Sequence, residues 1–182
     1  MLEEFKYEMR ELLKEYINLQ VQNNNELHEL RRLLRSLFDD KIIRIHRRHR
    51  SFLSEQIYPN AICIPGKRRL FVNTSGKFFI CEKMDESIQI GDVDRGFYYG
   101  KIKSLIDEYI SISEDLCKDC WAVRFCGECW LGAKKGKRLD KNRKAENCKY
   151  VKNSFALYLK VYCEIMEKNP NALDYMDQMV VY

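Results

Sequence analysis

The chain has 182 residues, of which 46% are hydrophobic and 32% charged, and its formal net charge is +5. This length corresponds to one ordinary domain, or one domain with an appendage, and the hydrophobic share is sufficient for a buried core. Proline and glycine are too scarce for long disordered segments, and the absence of a run of about 18 apolar residues argues against a membrane span.

The first third of the chain predicts helices and contains no cysteine. Apolar residues recur at helical intervals through residues 1–22, and asparagines at residues 23–25 interrupt that pattern. A second helix follows, and we expect it to end near Asp39 and Asp40. A short third helical piece is expected over residues 42–45.

The middle of the chain changes to β-rich patterns. Residues 69–73 and 77–81 are short runs rich in β-branched and aromatic residues, with turn residues between them, so they predict a hairpin. Gly76 supplies the positive φ that such a turn often requires. Residues 88–97 are expected to form an irregular connector.

The last part of the chain predicts helices around a cysteine-dense loop. Residues 100–112 carry a helical apolar face, and residues 117–129 are interpreted as a tight loop that wraps metal. A long helix is expected from Ala145 to a stop near Asn169, followed by a final helix. The whole pattern predicts an α+β fold that is mostly helical: a helical N-terminal segment, a small β-hairpin, a cysteine-rich loop region and C-terminal helices.

Seven of the eight cysteines follow an ordered pattern. They are spaced as Cys63-x12-Gly76-x4-Cys81, then Cys117-x2-Cys120-x5-Cys126-x2-Cys129, then Cys148. Thiolate is a soft ligand that suits zinc, copper(I) and iron–sulfur clusters. Because seven thiolates exceed what one zinc ion or one cubane cluster needs, the pattern predicts two neighbouring metal centres.

The N-terminal region lacks the apolar stretch of a secretory signal. Without such a signal a disulfide framework is disfavoured, so the cysteines are expected to be reduced and to bind metal. The expected compartment is therefore a cytoplasm, and a bacterial or archaeal one.

The spacing of the cysteines favours iron–sulfur clusters over zinc. Zinc ribbons usually separate their C-x2-C pairs by about 15–20 residues, so that each pair comes from its own knuckle. Here five residues separate Cys120 from Cys126, which is too short for a chain reversal between two knuckles. Crowded spacings of this kind are typical of a cluster, whose irons offer ligand positions in several directions.

The cysteine pattern resembles that of the SPASM domain, the auxiliary-cluster region at the C-terminus of many radical S-adenosylmethionine enzymes that modify peptides. The resemblance covers about residues 61–150, and one interval departs from it: Cys126 and Cys129 are separated by two residues where the family usually has three. The runs CIPGKRRLFVNTSGKFFICEK and CKDCWAVRFCGEC are most similar to maturases of cysteine-rich ribosomal peptides, which form thioether crosslinks.

The resemblance implies two [4Fe–4S] clusters with interleaved ligands. The first auxiliary cluster would be held by Cys63, Cys81 and Cys129. The second would be held by Cys117, Cys120, Cys126 and Cys148. Three protein ligands leave one iron of the first cluster open, so that it could bind and acidify a substrate thiol or accept an electron. The fully ligated second cluster would serve electron relay or structural bracing.

The chain lacks the C-x3-C-x2-C motif of the cluster that cleaves S-adenosylmethionine, so no site for that cofactor is expected in it. The interpretation divides the chain into three parts. Residues 1–58 resemble the last helices of a radical enzyme's barrel, residues 59–150 form the twin-cluster domain, and residues 151–182 form C-terminal helices. Three explanations stay open: a C-terminal fragment, a partner of a separate radical S-adenosylmethionine protein, or a stand-alone electron carrier. The expected substrate is a cysteine-rich precursor peptide.

A structural zinc module that binds a partner or nucleic acid is the main alternative. The basic residues between Lys134 and Lys144 are expected to form either a solvated helix face or a substrate-facing loop. They lack interleaved aromatic residues, which makes nucleic acid an unlikely partner. Cys163 is outside the pattern, and we expect a buried cysteine on a helix, with a fourth ligand to the first cluster as the alternative.

Overall fold

The structure, a computed structural model, describes residues 2–22, 28–48 and 63–179. Those residues form the predicted α+β fold, mostly helical, with four α-helices and a small antiparallel sheet of four short strands. The chain divides into two compact units, one of Met1–Arg50 with Asn153–Tyr182 and one of Ser51–Lys152. The interruption expected at residues 23–25 lies outside the described residues.

The first unit is helical. It contains α1 (Leu2–Val21), α2 (His28–His46), the C-terminal part of α4 (Lys141–Lys168) and a short 3₁₀ helix (Asp174–Gln178). Apolar residues of all four elements pack into one core. The buried members of this core are Tyr16, Ile17, Leu19, Leu34, Phe38, Ile42, Ile43, Val161, Ile165, Leu173 and Met176.

The helix α2 passes through Asp39 and Asp40, so the expected end at these residues is wrong. Asp39 is buried, and its carboxylate accepts hydrogen bonds from the hydroxyls of Tyr16 (2.8 Å) and Tyr175 (3.0 Å). Asp40 pairs with Arg44, one turn further along the helix, at 3.3 Å. Because tertiary and i,i+4 partners occupy both carboxylates, neither competes with the helical backbone, and the helix continues.

The second unit contains the four-stranded sheet. Its strands are β1 (Phe71–Val72), β2 (Lys77–Phe79), β3 (Gln89–Asp92) and β4 (Gly96–Phe97), paired antiparallel in that order. The first pair is the hairpin predicted from the sequence, with Phe71 opposite Phe79. Gly76 has a φ of 71° in its turn, as expected.

A second hairpin replaces the irregular connector expected over residues 88–97, so that expectation is wrong. The carboxylate of Asp92 accepts hydrogen bonds from the backbone N–H groups of Asp94 (3.1 Å) and Arg95 (2.8 Å). Gly96 then takes a φ of 71°. The side chain of Asp92 thus organises a tight turn of the kind that Asp and Gly commonly form, and the chain reverses there.

Helices and turns complete the second unit. The helix α3 (Tyr99–Cys117) is longer than predicted, and two 3₁₀ helices cover Glu82–Met84 and Trp130–Ala133. Strands β5 (Lys134–Lys135) and β6 (Arg138–Leu139) form a two-stranded ribbon. A second core lies among these elements: Ile80, Met84, Ile88, Ile90, Ile102, Leu105, Tyr109, Trp130, Ala133 and Leu139.

The helix α4 begins at Lys141, four residues before the expected start at Ala145. The carboxylate of Asp140 accepts a hydrogen bond of 2.7 Å from the backbone N–H of Arg143, which is the interaction of a helix N-cap. The helix ends at Lys168, as predicted from Asn169. The final helix is present as the 3₁₀ helix Asp174–Gln178.

None of the helices in the described part of the chain combines the length and the apolar character needed to cross a bilayer.

Candidate metal centre

All seven cysteines of the pattern belong to the second unit, and each is a free, half-buried thiol. Cys163 lies in the first unit and is exposed, so the expectation of a buried cysteine is wrong. The reason is its position on α4: Val161 and Ile165 carry the buried face of the helix there, and residue 163 falls between them on another face.

Trp130 joins the segments that carry Cys63 and Cys129. Its indole N–H donates a hydrogen bond of 2.9 Å to the backbone carbonyl of Cys63, and Trp130 itself directly follows Cys129 in the chain. The indole is buried in the second core, so this hydrogen bond is shielded from water. The loop that carries Cys63, 67 residues before Trp130, is thereby held beside the segment of Cys129.

Cys81 and Cys129 occupy matching positions at the start of two 3₁₀ helices that contact each other, Glu82–Met84 and Trp130–Ala133. Both cysteines have extended backbone, and neither uses its side chain to cap its helix. Cys81 also packs against the core that contains Trp130. The Trp130 hydrogen bond thus joins the segments of Cys63 and Cys129, and the contact between the two 3₁₀ helices joins the segments of Cys81 and Cys129. We call these three cysteines the first thiol set.

Three of the other four cysteines lie at the end of α3 and in the segment that follows it. Cys117 is the last residue of α3, and its carbonyl accepts a hydrogen bond of 3.1 Å from the N–H of Cys120. The N–H of Cys126 donates to the carbonyl of Ala122 at 3.0 Å. These turns place both members of the C-x2-C pair and Cys126 within a short stretch of chain.

Cys148 comes to this segment from α4. Next to it, the side chain of Asn147 donates a hydrogen bond to the carboxylate of Glu128, which lies between Cys126 and Cys129. Electrostatic interactions join Cys148 to each of the other members of the group. We call this group, with Cys148 as its common neighbour, the second thiol set: Cys117, Cys120, Cys126 and Cys148.

Burial has the largest effect on the pKa of three thiols of the second set. It raises the pKa of Cys117, Cys126 and Cys148 above the ordinary value for a thiol. Neighbouring thiolates raise the pKa further, while the positive charge of Lys144 lowers it for all three. A metal or cluster that binds here would supply the positive charge that stabilises the thiolate form.

Tyr109 lies beside both thiol sets. Its hydroxyl contacts the carbonyl of Cys129 at 3.4 Å, and its ring packs on Trp130 with 4.8 Å between centroids. Burial raises the pKa of the phenol far above its usual range, and the nearby thiolates of Cys126 and Cys129 raise it further. The phenol therefore stays protonated and serves as a neutral hydrogen-bonding group between the sets.

Lys144 belongs to this site, although the sequence analysis placed it in a solvated helix face or a substrate-facing loop. The segment Lys134–Lys144 is a β-ribbon followed by the first turn of α4. Within it, Lys144 is only 4% exposed, so it does not belong to a solvated face. The available signal was its spacing: Lys144 precedes Cys148 by four residues, which puts both on one side of a helix.

The seven cysteines are free, half-buried thiols, and thiolate is the ligand type that iron–sulfur clusters use. Cys63, Cys81 and Cys129 could hold one cluster, and the second thiol set another. Among residues 2–22, 28–48 and 63–179, no three His, Cys, Asp or Glu side chains form a ready-made site for a single metal ion. The two thiol sets are defined here by backbone contacts and mutual electrostatic interactions.

Comparison of the chain with family models, with curated proteins and with solved structures found no match. The resemblance to the SPASM domain therefore rests on the cysteine pattern and its neighbouring residues, and it stays a prediction.

Proposed function

We propose that this chain binds two [4Fe–4S] clusters and acts as the auxiliary-cluster part of a peptide-modifying radical S-adenosylmethionine system. The observation that supports the proposal is that seven free, half-buried thiols in an ordered sequence pattern belong to one compact unit, and the resemblance implies their division into a set of three and a set of four. Soft thiolates in such numbers are the ligands that iron–sulfur clusters require.

The first thiol set would leave one iron without a protein ligand. Cys63, Cys81 and Cys129 supply three thiolates, and a cubane has four irons. A thiol of a cysteine-rich substrate peptide could bind at the fourth iron, where metal coordination favours its thiolate form. The side chains of Cys81 and Cys129 form no capping hydrogen bond with their 3₁₀ helices, so both thiols are available to bind iron.

The second thiol set would bind its cluster completely. Its four thiolates come from the end of α3, the following turns and α4, so one cluster would tie these elements together. A fully ligated cluster can relay electrons or brace the fold. Because these 182 residues carry no C-x3-C-x2-C motif, S-adenosylmethionine would be cleaved at a cluster outside them, and we propose that the system works in a cytoplasm.

Metal and sulfide analysis of the full chain tests the proposal. Protein purified under anoxic conditions should be brown and contain about eight iron and eight acid-labile sulfide ions per chain. Zinc at about one or two ions per chain without sulfide would instead support a structural zinc module.

A thiol-binding experiment separates the auxiliary role from simple electron carriage. A short cysteine-containing peptide should alter the electron paramagnetic resonance signal of the reduced first cluster, while the same peptide with serine in place of cysteine should not. The Cys129→Ala variant is the matched control, because it removes a ligand of the first cluster and should abolish the response. A wild-type spectrum that the cysteine peptide leaves unchanged would favour a stand-alone electron carrier.

A further inference from the structure

Lys144 is a buried cation on the same side of α4 as a cluster ligand. It is 4% exposed, and it precedes Cys148 by four residues in the helix. Residues at i and i+4 of a helix are neighbours on its surface. Lysine is rarely buried in proteins without a partner of opposite charge, so the position needs a physical explanation.

Tyr109 holds the ammonium group of Lys144. The Nζ atom donates a hydrogen bond of 2.9 Å to the phenol oxygen and lies 4.3 Å from the centre of the ring. The ring is itself fixed against Trp130 in the second core. The acceptor is a neutral phenol, not a carboxylate, so this hydrogen bond orients the charge of Lys144 without neutralising it.

The positive charge of Lys144 acts on most of the second thiol set. It lowers the pKa of Cys117, Cys126 and Cys148, against the larger effect of burial. The carboxylate of Glu128 acts in the opposite direction on Cys126 and Cys148. Glu128 accepts a hydrogen bond from Asn147, whereas the ammonium is held on the phenol.

We propose that Lys144, oriented by Tyr109, raises the reduction potential of the cluster held by the second thiol set. This inference rests on the proposed function, because it requires that cluster. When the cluster takes one electron from a reductant, its negative charge increases by one. A buried, fixed ammonium stabilises the more negative form, since charges that water does not screen interact strongly. Lys144 is thus a positioning residue: it does not bind the metal, and it acts on the cluster through its positive charge.

The test is a redox titration of the full chain with dithionite, followed by electron paramagnetic resonance. In Lys144→Met, the ratio of reduced to oxidised second cluster at a fixed solution potential should fall about tenfold, which is about 59 mV for one electron. The first cluster should shift less. Lys144→Arg, which keeps the charge, should stay near wild type. Lys141→Met is the matched control, because Lys141 is exposed on the same helix and pairs with Asp115.

The iron content of each variant is measured before the titration, because a variant that has lost the second cluster has no potential to measure. Loss in both Lys144→Met and Lys144→Gln, with retention in Lys144→Arg, would show that the site requires the charge. An unchanged potential in both neutral variants, or loss of the cluster in Lys144→Arg as well, would overturn the inference. Wild-type protein without iron and sulfide would instead overturn the proposed function itself.

Discussion

Cys148 defines the second thiol set at the scale of single residues, because it interacts with all three other members. Cys163, fifteen positions further along α4, is exposed and belongs to the other unit. Cys148 and Cys163 are both cysteines on α4, yet they have different surroundings. This difference makes Cys163 a natural control for every cysteine substitution in the set.

Cys120→Ala is expected to lose the second cluster and the fold around it, because that cluster is proposed to tie the end of α3 to α4 through all four of its thiolates. Iron and sulfide should fall from about eight to about four per chain when the protein is purified without oxygen. Cys163→Ala should retain the full content. Equal losses of iron in the two variants would mean that the ligands are assigned wrongly.

Asp39 provides a residue-scale prediction in the first unit. Burial raises the pKa of its carboxyl above the ordinary value of 3.8, although hydrogen bonds from Tyr16 and Tyr175 and the charge of Arg35 oppose the shift. Folding therefore disfavours the ionised form. The contribution of Asp39 to stability is greatest below pH 3.8 and falls as the pH rises through the raised, folded-state pKa.

Hydrogen exchange of the α2 amides measures this contribution. The free energy of local opening, corrected for the intrinsic exchange rate, should decline more steeply above pH 4 in wild type than in Asp39→Asn. The difference between the two proteins isolates the Asp39 carboxyl from other titrating groups such as Asp40. A difference that grows in favour of wild type with rising pH would contradict the buried, disfavoured charge.

At the scale of elements, the Gly76 turn of the first hairpin contacts the turn of the second hairpin. Gly76 has a φ of 71°, and its carbonyl accepts a hydrogen bond of 2.9 Å from the N–H of Val93 in the second turn. A Cβ atom at this position would lie 2.7 Å from a methyl carbon of Val93. The turn therefore requires glycine for two separate reasons, its backbone conformation and the close approach of a neighbour.

Substitutions at three glycines separate these reasons. Gly76→Ala should destabilise the sheet by more than about 2 kcal/mol, because left-handed strain and a clash add together. Gly136→Ala should cost about 1 kcal/mol, since its φ is 61° but nothing lies near its Cβ position. Gly100→Ala, in a helix with open space, should be neutral or slightly stabilising. Thermal unfolding of the matched proteins gives the order, and an equal effect at all three positions would refute this account of the turn.

The sequence predicted those elements whose signals were local. Apolar periodicity indicated α1 and α3, and turn residues indicated the first hairpin. The sequence-based prediction failed where tertiary contacts determine the structure. The expected end of α2 is wrong because two tyrosine hydroxyls bind Asp39 and the helix continues. The prediction also failed for strands β3 and β4, whose pairing depends on the turn that the Asp92 side chain organises.

The candidate site was predictable to a similar extent. The cysteine spacing identified the seven thiols, but Trp130 beside Cys63 and the burial of Lys144 depend on packing between distant segments. The four-residue spacing between Lys144 and Cys148 becomes informative only once the helix is known to begin at Lys141, before the expected start at Ala145. The exposure of Cys163 also depended on the helical face that the first core occupies.

For the molecule as a whole, the two units should respond differently to loss of the clusters. The first unit has its own apolar core and none of the seven patterned cysteines. The second has short strands and many turns joined by the proposed ligands. Iron can be removed with a chelator under oxidising conditions, and the thiols can then be reduced again. This treatment should leave the hydrogen-exchange protection of the α1 and α2 amides nearly unchanged.

Hydrogen exchange of the second unit should then speed up at least tenfold between Cys117 and Leu139, because cluster binding and folding are coupled. Protein kept with its clusters through the same buffer changes is the control. Protection lost to the same degree in α1 and α2 would show that the clusters stabilise the whole chain. Unchanged protection in the cysteine segment would show that they do not stabilise the fold.

Native mass spectrometry of the anoxically prepared full chain tests the two-cluster account most directly, because it counts iron and sulfide on one molecule. We expect one dominant species with two [4Fe–4S] clusters, and a loss of one cluster each in Cys129→Ala and Cys120→Ala. A wild-type chain that carries only zinc, or a single cluster that both substitutions remove, would contradict it.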